Sequence, residues 1–211
     1  HQPFDMQKAI DENATYVQLS DGGHFENLAL YELIRRKVDF LWVSDAGQDT
    51  KFSFEDLSSA IERVRVDFGV NIRFYDEEYD LTHLLPGSAQ TDTPASKNFA
   101  EEYHLAKRGY AIGTIEYADG SRGVIVYIKS TLTRFLPGDI YGYKARNDDF
   151  PHQTTLDQFF DEEQFEAYRE LGYRLAAQLF RDIDAARKAA ARVDGSTGSD
   201  ALDKVALALG V

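Results

Sequence analysis

The sequence predicts an α/β fold, with a largely parallel sheet, a β-hairpin extension and a helical C-terminal segment. Strand-like runs, alternating or continuously apolar, recur between runs of helical spacing, which is the grammar of an α/β layer. An Asp-Gly linker at residues 119–120 joins two β-rich runs, as in a hairpin. The C-terminal third reads as amphipathic helix.

Taken in order, Thr15-Tyr16-Val17-Gln18-Leu19 alternates and is rich in β-branched and aromatic types, as a strand requires. The turn Ser20-Asp21-Gly22-Gly23 follows, because two glycines accept backbone angles that other residues avoid. Phe25, Leu28, Leu30, Leu33 and Ile34 then fall largely on one helical face. Residues 38–44 form a continuous apolar strand of the kind a covered parallel sheet uses, and Asp45-Ala46-Gly47 ends it in a turn. Leu57, Ala60, Ile61, Val64 and Phe68 mark a helix over residues 54–68 that Gly69 stops. Residues 70–74 alternate as a third strand. Pro86, Gly87, Ser88, Pro94 and Ser96 make 85–97 the expected long loop. Residues 110–117 and 123–129 are the hairpin strands, so the sheet need not stay purely parallel.

Helix resumes beyond Pro137, over about residues 139–193. Within it, residues 161–183 carry Phe165, Tyr168, Leu171, Leu175, Leu179 and Phe180 as an aromatic and aliphatic stripe suited to core packing. Asp194-Gly195-Ser196-Thr197-Gly198-Ser199 reads as a linker, and residues 201–209 as a short helical tail. The domain therefore spans 1–193, with 194–211 as linker and tail.

Composition narrows the function. A chain of 211 residues with 43% hydrophobic content can bury one core, and 14 Phe with 12 Tyr argue against disorder. A net charge of −13 opposes a nucleic-acid role and gives no electrostatic help at anionic bilayers. Without cysteine there are no disulfides, cysteine zinc sites or thiol nucleophile, which fits a reducing cytoplasm. No apolar run approaches the ~20 residues of a spanning helix.

Asp21 on its glycine turn is the leading candidate for chemistry, since a carboxylate at a sheet edge is placed to orient another group. It can equally serve only to satisfy amides of the turn. Asp45, at the end of a strand, is the second acidic candidate, with turn capping as its more ordinary role. His24 is expected to pack or bond near the helix start, His152 to anchor a loop, and Glu26 and Asn27 to cap the helix or buttress Asp21. Asp76-Glu77-Glu78-Tyr79-Asp80 lacks the glycine and spacing of a calcium loop and reads as a solvated acidic run.

The run from Asp21-Gly22-Gly23-His24-Phe25-Glu26-Asn27 to Arg35-Arg36 resembles the Asp-Gly-Gly block of bacterial patatin-like phospholipases. Val43-Ser44-Asp45-Ala46-Gly47 is similar to the strand that follows it in that family. A third block, Asp149-Phe150-Pro151-His152-Gln153-Thr154-Thr155, continues through Phe159-Phe160 and Phe165-Glu166-Ala167-Tyr168-Arg169 to Gly172-Tyr173. The resemblance covers residues 15–174. It implies a serine–aspartate dyad that cleaves carboxylic esters of phospholipid or related lipid, without cofactor or metal. In that dyad Asp21 is the catalytic aspartate, and Gly22 and Gly23 shape its loop.

The partner serine is not found. No serine sits in Gly-x-Ser-x-Gly: Ser44 lies in Trp42-Val43-Ser44-Asp45-Ala46 and Ser121 in Asp119-Gly120-Ser121-Arg122-Gly123. The glycine-rich oxyanion loop is missing too. The expectation is therefore the C-terminal part of a longer polypeptide, inactive alone, whose partners are a lipid ester substrate and the N-terminal part that carries the serine. Nucleic acid is not expected, contact with a membrane surface is left open, and the expected location is cytoplasmic or membrane-associated. The competing expectation is a non-catalytic interaction or scaffold domain that keeps the fold without the nucleophile.

Overall fold

The structure, a computed structural model, describes residues 22–74, 78–89, 102–154, 156, 158–190 and 204–207. The expected strand at 15–19, Asp21, Asp76, Glu77 and the linker at 194–199 lie outside the described residues. The chain runs α1 (Leu30–Arg35), β1 (Phe40–Asp45), α2 (Glu55–Phe68), β2 (Asn71–Phe74), β3 (Tyr110–Glu116), β4 (Arg122–Lys129), α3 (Gly138–Arg146) and α4 (Glu162–Ala190). Short 3₁₀ turns occupy Gly22–His24 and Leu81–Leu84.

The fold is α/β, as expected, and its sheet has the order β1-β4-β3-β2. β1 pairs with β4 in parallel, whereas β3 is antiparallel to both β4 and β2. Following those directions across the sheet, β1, β4 and β2 point the same way and only β3 is reversed. The expectation of a largely parallel sheet holds for strand direction but not for neighbour pairing. The hairpin inserts its two strands between β1 and β2 instead of extending an edge. This geometry has one functional consequence. The C-terminal ends of β1, β2 and β4 all open on the same edge, where α/β proteins assemble their sites.

Helices cover both faces. On one, Leu30 and Ile34 of α1 and Leu57, Ala60 and Val64 of α2 pack on Leu41, Val43, Ile125 and Tyr127. On the other, Ile140 of α3 and Leu171, Leu175 and Leu179 of α4 pack on Ile112, Val126 and Ile128. Spacings of three and four residues put the buried α4 positions in one row, so periodicity and burial agree there. The approach of α4 to the sheet is close enough to require glycine at 109, where a Cβ would lie 2.4 Å from Leu175 Cδ2. Helix α2 ends as expected, with Gly69 at φ 66° and its amide bonded to the Arg65 carbonyl.

Two helical expectations need correction. The helix after the glycine turn begins only at Leu30, because its N-cap Ala29 is left-handed, at φ 56°; the amides of Leu28 and Tyr31 donate to the Glu26 carboxylate around that break. Phe25 is consequently half-exposed, with Arg63 over its ring and Tyr31 against its edge. In α4, Phe165 and Phe180 lie outside the buried row and are 61% and 49% exposed, so they do not belong to the core stripe. Phe180 stacks on Trp42 instead, with ring centroids 5.9 Å apart. The helical turn at 204–207 docks, burying Val205 and Ala206 in the α4-side core.

Candidate functional site

β1 and β4 end together, and their register pairs Asp45 with Lys129. Parallel neighbours in register present their side chains to the same face, so the two charges meet just beyond the apolar layer under α2. Lys129 Nζ donates to Asp45 Oδ1 at 2.9 Å, and the two side chains are only 2% and 3% exposed. The Tyr127 hydroxyl donates to Asp45 Oδ2 at 2.5 Å, and the Gly47 amide donates to Oδ1 at 2.8 Å. Lys129 Nζ also reaches the Gly47 carbonyl at 2.9 Å. Burial, with Asp45 next in effect, pushes the Tyr127 phenol far above its ordinary range, so it stays a donor. Asp45 does cap its turn, through Gly47, and it closes a buried ion pair as well. Its carboxylate already takes three donors and offers no free base.

Over this network lies an open cleft of about 260 Å³, lined by Asp45, Asp49, Glu55, Asp56 and Lys129 among others. Asp49 holds the loop that shapes it. Its carboxylate accepts from the amides of Ser53 and Phe54 at 2.9 and 2.8 Å and from Ser53 Oγ at 3.1 Å. Burial opposes its ionisation, but these hydrogen bonds prevail and leave the carboxyl below its ordinary value.

His152 anchors the same loop, in keeping with its expected role. Its Nδ1 accepts the Asp49 amide at 3.3 Å, and Phe52 packs edge-to-face on its ring at 4.7 Å. Burial, reinforced by Lys129, lowers its pKa to about 4, against the opposing pull of Asp49 and the Gly47 carbonyl. The imidazole is therefore neutral near pH 7. With Nδ1 accepting, the proton sits on Nε2, which is buried and has no hydrogen-bond partner among the described residues.

The segment after the glycine turn touches the cleft lining through Asn27 and Asp56. Gly22 accepts from the amides of Phe25 and Glu26 at 2.9 and 3.0 Å, and His24 is exposed on the turn. Asn27 Nδ2 lies 3.4 Å from both Asp56 oxygens. Of the acidic run, Asp80 caps Thr82, and Glu78 faces Arg108. Among the described residues no group of acidic or histidine side chains could hold a metal, and no helix is long and apolar enough to cross a membrane.

Tyr127 and Lys129 are the site residues that sequence reasoning misses. The visible signal is a lysine closing the otherwise apolar run Val124-Ile125-Val126-Tyr127-Ile128. Its partner depends on strand register, which no local pattern reveals.

Fold and site together define a layered α/β domain with a buried Lys–Asp–Tyr network at the C-terminal edge of its parallel strands. No protein-family model, curated protein or solved structure matches the chain.

Proposed function

We propose that the chain forms the C-terminal part of a patatin-like lipid acyl hydrolase, with Asp21 as the carboxylate of a serine–aspartate dyad. One observation carries the reading: the three sequence blocks behind the family resemblance converge on one edge of the sheet. Asn27 of the first block meets Asp56, Asp45 and Gly47 of the second form the buried network, and His152 of the third holds the Asp49 amide. Asp21, as the dyad carboxylate, would orient a serine hydroxyl supplied by a preceding segment, because an unassisted hydroxyl is a weak nucleophile. Tetrahedral charge would be held by an oxyanion loop from that same segment. The substrate class is a carboxylic ester of phospholipid or related lipid, and membrane-surface contact follows from that substrate. A scaffold role is the second reading, favoured by the lack of any Gly-x-Ser-x-Gly in the 211 residues.

Hydrolysis of a p-nitrophenyl acyl ester separates the two in a polypeptide that also includes the segment preceding His1. Asp21→Asn is expected to lower turnover by roughly 10²–10⁴-fold, the usual contribution of a general base, with an unchanged circular dichroism spectrum. Near wild-type turnover in a folded variant would overturn the assignment. The 211-residue chain alone should show only background hydrolysis, and robust turnover by it would refute the half-site.

A further inference from the structure

Between α3 and α4 lies an open groove of about 840 Å³. The buried side chains of Ile140, Tyr143 and Ala167 line it, and Phe165 stands in it 61% exposed. Leu156 and Phe159, on the segment that leads into α4, are 89% and 92% exposed. Large apolar side chains left in water at such density mark an interaction surface. The rim of the groove is acidic. Asp139, Glu162, Glu163 and Glu166 line it against one cation, Arg146. Arg146 is bonded to Glu163, and Glu166 is bonded to Arg169. Asp139 and Glu162 are left without a cationic partner among the described residues.

We propose that this groove docks a basic amphipathic helix of a partner protein. The apolar face of that helix would lie on Phe165, Ile140 and Ala167, and its lysines or arginines would face Asp139 and Glu162. Charge selects this occupant. A second copy would bring the same acidic rim against itself, in a chain whose net charge is −13. An anionic bilayer is repelled for the same reason. Openness to solvent suits a row of side chains on a helix, whereas a small molecule needs enclosure. The inference does not draw on Asp21 or on the hydrolase reading.

The test is a fluorescence-anisotropy titration of the 211-residue chain into a fluorescein-labelled amphipathic peptide of leucine and lysine. The peptide is about 15 residues long, so that it can form a helix. Saturable binding is expected, with a leucine–glutamate peptide of the same spacing at least about tenfold weaker. Phe165→Ser and Glu162→Lys should each weaken the basic peptide about tenfold with an unchanged circular dichroism spectrum, the scale of one lost anchor. Glu62→Lys makes the same charge change on the exposed side of α2, across the sheet, and should leave the affinity within about twofold. No saturable binding, comparable binding of the acidic peptide, or equal losses for Glu62→Lys and Glu162→Lys would each overturn the proposal. So would a dimer of the chain, or its attachment to phosphatidylcholine vesicles, that Phe165→Ser abolishes, since a second copy or a lipid surface would then be the occupant. Should one of the groove variants misfold, the other and the two wild-type titrations decide.

Discussion

Replacing Lys129 with methionine removes the only cation paired with Asp45 among the described residues while keeping most of the aliphatic stem. The ion pair is almost completely buried, at 2% and 3% side-chain exposure, so solvent screening does not soften the loss. Taking one partner from a buried pair strands a charge, at a cost of about 3–5 kcal/mol. The Tyr127 hydroxyl and the Gly47 amide still reach the carboxylate, which favours the lower end of that range. Asp45→Asn strands the ammonium instead and should cost a similar amount. The double variant leaves no unpaired charge, so its loss should fall short of the two single losses added together by about 2–3 kcal/mol. Urea unfolding followed by the fluorescence of Trp42, the single tryptophan, measures all three. The midpoints should move with the slope unchanged. Additive losses, or single losses below about 1 kcal/mol, would refute the claim that this pair is a coupled structural element.

Stability should also fall on mild acidification because of His152. Its pKa drops from 6.5 to about 4 on folding, so between those values the unfolded chain binds the proton that the fold refuses. The contribution is complete above pH 6.5 and is lost progressively down to pH 4, amounting to about 3 kcal/mol at 1.36 kcal/mol per unit. His152→Gln should flatten that part of the pH profile, and parallel profiles for the two proteins would contradict it. At the α4 contact, Leu175→Ala empties a site that is 2% exposed and should cost about 2–5 kcal/mol. Gly109→Ala drives a methyl group to within 2.4 Å of Leu175 and should cost about 1–3 kcal/mol. The double variant should lose less than the sum, because the truncated leucine makes room; a fully additive result in thermal unfolding would argue against that close approach.

Elements were legible where a short window contains the whole signal. The apolar spacing from Leu57 to Phe68 and the stop at Gly69 specify α2, and the Asp-Gly linker specifies the β3–β4 turn. Element limits that depend on a single residue's conformation were less legible. The left-handed Ala29 holds the start of α1 back to Leu30, and Phe165 and Phe180 obey helical spacing well enough to read as core while standing outside it. Of the site, Asp45 and His152 stood out as strand-end and loop residues, whereas Tyr127 read as one more residue of an apolar strand and Lys129 as the charge that closes it, with no partner in view.

The sequence by itself determined the α/β class and the order of most elements. These follow from interactions among residues a few positions apart, whose spacing the chain displays directly. Only the tertiary structure decided that the hairpin lies between β1 and β2, that Asp45 faces Lys129 across 84 positions, and that His152 reaches the Asp49 amide across 103. Strand order and register are chosen by which faces bury together over the whole sheet. A one-residue slip would turn Lys129 away from Asp45 without changing any local pattern.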